Sequence, residues 1–237
     1  MFPETSQNNP APHLKALSAF LKVFFHLLYG RFAWTYDWVA AIVSLGQWNS
    51  WVRAALPYLP GPKVLELGHG PGHLQVALSE AGIDSFGMDA SKQMGQLARA
   101  NIRKNVTIPL LVNGYAQFMP LQDRSFYQVV ATFPTEYIYD PATIQEVYRV
   151  LLPGGRLVIL LAAWITGKGL MERTAAWLFR VTKQVPPKTP GSTAQSGLRD
   201  ALAGQLVDRL ERTGFQAKVE LVELRSSILM IVVGDKV

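Results

Sequence analysis

Residues Val64–Leu74 read VLELGHGPGHL. Four residues of apolar-flanked strand pattern, Val64–Leu67, run into glycines at 68, 70 and 72. The stretch HLQVALSEAG that follows has helical spacing and a glycine stop at Gly82. Glycine lets the chain turn sharply and approach a ligand with no side chain in the way. The start of the following helix offers free N–H groups and the positive end of its dipole. A cradle for a small ligand is expected here.

Outward from this stretch the pattern alternates strand and helix. IDSFGMD (83–89) reads as a second strand, and SKQMGQLARANIRKN (91–105) as a helix capped by Ser91. VTIPLLVNG (106–114) reads as a third strand, irregular at its start or at a sheet edge because of Pro109. QVVATF (128–133) reads as a fourth strand, DPATIQEVYRVLLPGG (140–155) as a helix, and RLVILLAAW (156–164) as a fifth strand. LRDALAGQLVDRLERTGF (198–215) is a further helix, and QAKVELVEL and SSILMIVVGDK are two strands joined by a short link. Such alternation implies right-handed crossovers and a sheet covered on both faces. The expectation is an α/β fold: a three-layer, Rossmann-like, seven-stranded, mostly parallel sheet with an antiparallel C-terminal hairpin.

The flanks differ from this core. Residues 1–61 are expected to form a helical lid, with 1–12 disordered; 62–237 form the main domain, and 166–197 are an insertion after the fifth strand. Of 23 basic and 17 acidic residues, 63–165 hold eight of each and 201–237 five of each, so the net charge of +6 comes from the two flanking segments. Trp34, Trp38, Trp48 and Trp51 lie in the first of these and Trp177 in the second. Cationic, aromatic, amphipathic segments fit contact with an anionic membrane surface. The polar, Pro-rich start has no signal-peptide character and no apolar run is long enough to span a bilayer, so a cytoplasmic protein, peripheral on the inner membrane face, is expected. The chain has no cysteine, which excludes disulfides and thiolate catalysis. His13, His26, His69 and His73 show no metal-ligand spacing, so no metal is expected. No basic stripe crosses the core and no recognition module is visible, so nucleic acid is not expected as a partner.

The G-x-G-x-G spacing is neither the dinucleotide fingerprint nor a phosphate-binding loop with its lysine. Glu66, two residues before the first glycine, would repel a pyrophosphate and suit an ammonium group. Asp89, ending the second strand, is placed to accept hydrogen bonds from ribose hydroxyls. Together they describe a ligand with an amino-acid end, a ribose and no phosphates, which S-adenosylmethionine (SAM) satisfies.

On these residues the sequence resembles the class I SAM-dependent methyltransferases, in the subgroup of quinone and phospholipid methyltransferases. VLELGHGPGHL is similar to the family's first motif, GMDAS to its acidic loop, and EVYRVLLPGGRLVIL to its helix–turn–strand segment. The resemblance implies methyl transfer from SAM, with S-adenosylhomocysteine as product, to a small lipophilic acceptor. It implies cofactor contacts from Glu66, Gly68, His69, Gly70, Gly72, Asp89 and Ala90. Where the family has Gly-Asp-Ala after the third strand, this chain has Gly114-Tyr115-Ala116, so Tyr115, Ala116 and Gln117 are expected beside the adenine. Thr132 is expected at the tip of the fourth strand next to the cofactor, and Phe133–Tyr137 along the acceptor side. Glu136, His69 and Tyr36 are the candidates for a base, should the nucleophile start protonated. The alternative is a SAM-binding protein of this fold without turnover, acting as a binding or regulatory module.

Overall fold

A computed structural model describes residues 44–103, 110–166 and 193–237. They contain a short helix α1 (Trp48–Arg53), then β1 (Lys63–Leu67), α2 (His73–Glu80), β2 (Asp84–Asp89), α3 (Lys92–Ile102) and β3 (Leu110–Asn113). β4 (Phe126–Thr132), α4 (Pro141–Val150), β5 (Leu151–Ile165), α5 (Thr193–Thr213), β6 (Phe215–Leu224) and β7 (Ser227–Lys236) follow.

The strands form one sheet in the order β3-β2-β1-β4-β5-β7-β6. β1 to β5 pair in parallel, and β7 lies antiparallel between β5 and β6. The expected fold is therefore present, with β3 on one edge as the proline before it indicated. The direction of the strand order switches between β1 and β4, which opens a crevice beyond their C-terminal ends.

Successive residues of the central strands are buried on alternate faces of the sheet. Leu65 and Leu67 of β1 join Val129, Ile159, Ile144 and Val147, with Leu206 and Leu210 of α5, on one face. Val64 joins Trp51, Val52, Leu74, Leu78 and Val158 on the other. Side chains of successive strand residues point to opposite faces, so a strand covered on both sides is apolar throughout. Glu66 falls on the Val64 face, beneath α2.

The boundaries depart from expectation in two places. The helix over 140–155 ends at Val150, because Leu151 is already extended and pairs with Phe126. Pro153-Gly154-Gly155 is then a bulge inside β5, not a helix stop: the register jumps from Phe126↔Leu151 to Gln128↔Arg156. A Cβ on Gly155 would meet the Tyr127 carbonyl at 3.1 Å, so glycine permits that close passage. The second departure is α5, which starts at Thr193, so the last residues assigned to the insertion are helical. Gly197 does not break it, consistent with the modest cost of one helical glycine, about 1 kcal/mol. The rest of the insertion, and the lid up to residue 43, lie outside the described residues.

Candidate active site

The glycine loop is built by positive backbone angles. Gly68, Gly70 and Gly72 have φ of 68°, 51° and 86°. Gly68 N–H donates to the Met88 carbonyl at 2.7 Å, which ties the loop to the end of β2. Gly72 starts α2, and a Cβ there would meet Ala98 at 3.1 Å and Ile102 at 3.2 Å of α3. A Cβ on Gly68 would meet the Tyr137 hydroxyl at 2.7 Å, whereas nothing lies within 4 Å of the same position on Gly70.

Above this loop is a cavity of about 350 Å³. Gly68, Gly70, Met88, Asp89, Ala90, Ser91 and Met94 line it, with Gly114, Tyr115, Ala116 and Gln117. Thr132, Phe133, Pro134, Thr135 and Tyr137, at and beyond the end of β4, complete the lining. This lining is anchored. The Asp89 carboxylate accepts from Gly70 N–H at 2.9 Å and Ser91 N–H at 2.8 Å. Asn113 donates its amide to the carbonyls of Asp89 and Ala90, at 2.9 and 3.0 Å, joining the tips of β2 and β3. The Gln117 amide donates to Asp140, whose other oxygen caps α4 through Ala142 N–H at 2.9 Å. Tyr137 Oη donates to the Leu67 carbonyl at 3.0 Å, directly beside the loop.

Eight of the expected cofactor residues thus share one cavity: Gly68, Gly70, Asp89, Ala90, Tyr115, Ala116, Gln117 and Thr132. Three others stand off it. Glu66 is 1% exposed and accepts from the Gln75 amide at 2.8 Å; Gln75 in turn accepts from the Ser85 hydroxyl at 2.9 Å. Glu66 therefore lies beneath the loop, off the cavity lining. Burial pushes its pKa up to about 8, the Gln75 bond opposing this and the nearby Asp89 charge adding to it. His69 is 4% exposed and faces a second cavity of about 260 Å³ between α3 and β3. Its Nδ1 donates to the Gly70 carbonyl at 2.7 Å, and burial lowers its pKa. Gly72 serves the helix start and the approach of α3 rather than the cavity wall.

The base candidates fare differently from their neighbours. Glu136 is exposed and off the cavity, because it begins the short 3₁₀ turn Glu136–Tyr139 that turns Tyr137 inward instead. His69 lines the second cavity and not the larger one. Tyr36 lies outside the described residues.

Met88, Met94 and the Gln75 bridge were not singled out in the sequence; Ser91 was expected as a helix cap, which it is, and it also lines the cavity. Met94 had a legible signal, since it falls on the buried face of α3 with Ala98 and Ile102. Gln75 had one too: a polar residue among the buried Leu74, Ala77 and Leu78 of α2. Among the described residues no three His, Asp or Glu side chains are grouped to hold a metal ion.

The glycine cradle opens into a cavity, an acid stands at the next strand tip, and the strand order is 3-2-1-4-5-7-6; together these define a SAM-binding α/β methyltransferase fold. Comparison with known proteins agrees. A family model described as a methyltransferase domain matches residues 65–159. Demethylmenaquinone methyltransferase of Chlorobaculum tepidum is 33% identical over 178 residues, covering 71% of this chain and 70% of that enzyme. Bacterial enzymes of the same name from other species match over 49–58% of their own length. Among solved structures, a SAM-dependent methyltransferase from Thermotoga maritima, described as a possible histamine N-methyltransferase, aligns with a TM-score of 0.58 at 22% identity. That alignment covers 90% of this chain and 99% of the other. Phosphoethanolamine N-methyltransferase 2 of Haemonchus contortus, solved with S-adenosylhomocysteine, aligns with a TM-score of 0.55 at 18% identity, over 81% of this chain and 53% of that one. The chain belongs to the class I SAM-dependent methyltransferases, and it is an enzyme of that class.

Proposed function

We propose that this enzyme transfers the methyl group of SAM to a lipophilic, ring-bearing acceptor of the quinol type. The observation that carries the reading is the single cavity that brings the glycine loop and acidic tip together with Thr132–Thr135 and Tyr137. The residues fit the cofactor: Gly70 leaves open space where a side chain would intrude, and Gly68 admits Tyr137 at the loop. Asp89 and Ala90 are assigned to the ribose and adenine end, with Tyr115–Gln117 as its outer wall. Glu66 is assigned an electrostatic part from beneath, as a buried acid that a bound cation draws toward its ionised form.

SAM supplies an electrophilic methyl on a sulfonium. The protein's part is alignment and the exclusion of water. Held by these residues, SAM would supply the methyl to the acceptor and leave as S-adenosylhomocysteine, with the acceptor's proton released to solvent. An electrophilic methyl needs an electron-rich partner, so the reduced quinol rather than the oxidised quinone is the reacting form. The demethylmenaquinone methyltransferase relatives support this acceptor class. The cationic flanks support delivery of such an acceptor from an anionic membrane, and among the described residues no helix is long and apolar enough to cross one.

Two measurements test the reading. Isothermal titration should show one SAM site per chain. S-adenosylhomocysteine production should appear with reduced demethylated naphthoquinols and not with phospholipids or small amines. Turnover with amines alone would overturn the acceptor assignment. Co-sedimentation with anionic but not neutral vesicles at low salt tests the membrane part.

A further inference from the structure

Phe133 is the first residue beyond β4, and its φ is +48°. The left-handed region is uncommon for any residue with a Cβ, and for a bulky aromatic it is an outlier. Such outliers persist where the surroundings over-determine them, and they gather at binding and catalytic sites. Here the surroundings are visible. Phe133 N–H donates to the Leu160 carbonyl at 2.8 Å, adding one more rung between the chains of β4 and β5. The turned backbone then sets the ring against Trp48, at 4.9 Å between centroids and 35° between planes, and Trp51, at 5.9 Å and 55°. Trp51 is itself fixed by its indole N–H donating to Ser227 Oγ at 2.8 Å. Phe133 nevertheless lines the cavity, beside Thr132 at the strand tip. Glycine or asparagine would adopt this backbone with less strain, so what the phenylalanine adds is its ring.

We propose that Phe133 is the surface on which the acceptor's ring stacks, and that it selects planar, aromatic acceptors over aliphatic ones. This rests on the methyltransferase reading and goes further by naming the recognising residue. Offset stacking on an aromatic face favours a planar π-system and gives little to a flexible amine. The tryptophans behind Phe133 hold the ring in place, so stacking costs little ordering of the protein. The glycine loop and Asp89 line the same cavity from the ends of β1 and β2, whereas Phe133 follows β4, so the proposal assigns acceptor recognition and cofactor recognition to different residues.

The test compares Phe133→Leu and Phe133→Tyr with wild type, each first shown to be folded by thermal unfolding. Three quantities are read: the SAM dissociation constant, the KM for a reduced naphthoquinol, and the binding of 1,4-naphthoquinone by equilibrium dialysis with S-adenosylhomocysteine present. Expected for Phe133→Leu is a tenfold or greater loss of naphthoquinone binding, with a matching rise in KM and SAM affinity changed less than twofold. Phe133→Tyr should restore naphthoquinone binding to within about threefold of wild type. Equal naphthoquinone binding by Phe133→Leu and wild type overturns the proposal, even if quinol turnover persists and the function stands. If wild type methylates no quinol yet binds naphthoquinone in a Phe133-dependent way, the acceptor assignment falls and the stacking surface remains. Should Phe133→Leu fail to fold, the emission difference between wild type and Trp48→Phe answers instead. Naphthoquinone should quench that difference, and absence of quenching at saturating ligand overturns the proposal.

Discussion

Gly68 is the residue at which the cradle is most exposed to substitution. Its φ of 68° disfavours any Cβ, and that Cβ would sit 2.7 Å from the Tyr137 hydroxyl. The left-handed backbone alone costs about 1–2 kcal/mol, and Tyr137 must also leave the Leu67 carbonyl. Gly68→Ala is therefore expected to weaken SAM binding at least about tenfold by calorimetry, while Gly82→Ala, a helix stop away from the cavity, leaves it unchanged. Glu66 predicts a pH dependence. Below the usual carboxylate range, folded and unfolded chains both carry its proton. Between that range and about 8 the folded chain keeps a proton that the unfolded chain has lost. Stability from this group therefore falls as pH rises through that window. Thermal unfolding of Glu66→Gln should show a flatter decline across it than wild type; an equal slope would mean the carboxyl is not held protonated. The glycines and both acids were legible from spacing. That Glu66 lies beneath the loop was not, because the side a strand residue faces depends on which helix covers it.

Elements carry the site through their ends. Asp140 caps α4 with one oxygen and holds Gln117 with the other. Asp140→Ala removes an N-cap worth about 1 kcal/mol and also frees the wall assigned to the adenine. It should lower the denaturation midpoint and weaken SAM, whereas Asp140→Asn should recover most of the stability. Helix and strand types followed from period and from glycine and proline punctuation. The Pro153-Gly154-Gly155 stretch shows where that reasoning stops. The same residues end a helix or bulge a strand, and β-pairing of Leu151 with Phe126, a partner 25 positions away in the chain, decides between them. Glu136 and Tyr137 show the same limit. A 3₁₀ turn of four residues selects which side chain enters the cavity, and no periodicity in so short a segment reveals it.

Across the whole molecule, α1 is held to the far end of the sheet by long-range polar contacts. Trp51 donates to Ser227, and Ser226 donates to Gln47 at 2.8 Å. Ser227→Ala would strand a buried indole N–H at a cost of about 1–3 kcal/mol. The double variant with Trp51→Phe should cost less than the sum of the two single changes, as urea unfolding would reveal. The same contacts back Phe133, so α1, β7 and the chain beyond β4 form one connected body. By itself the sequence determined the fold class, the strand order's parallel core and terminal hairpin, and the cofactor family. Those depend on local periodicity, turn chemistry and a motif contiguous in the chain. Only the tertiary structure decided which motif residues face the cavity, that His69 and Glu136 do not, and that Phe133 is braced by two tryptophans. Those outcomes depend on which faces pack together, and packing is set by contacts between residues far apart in the chain.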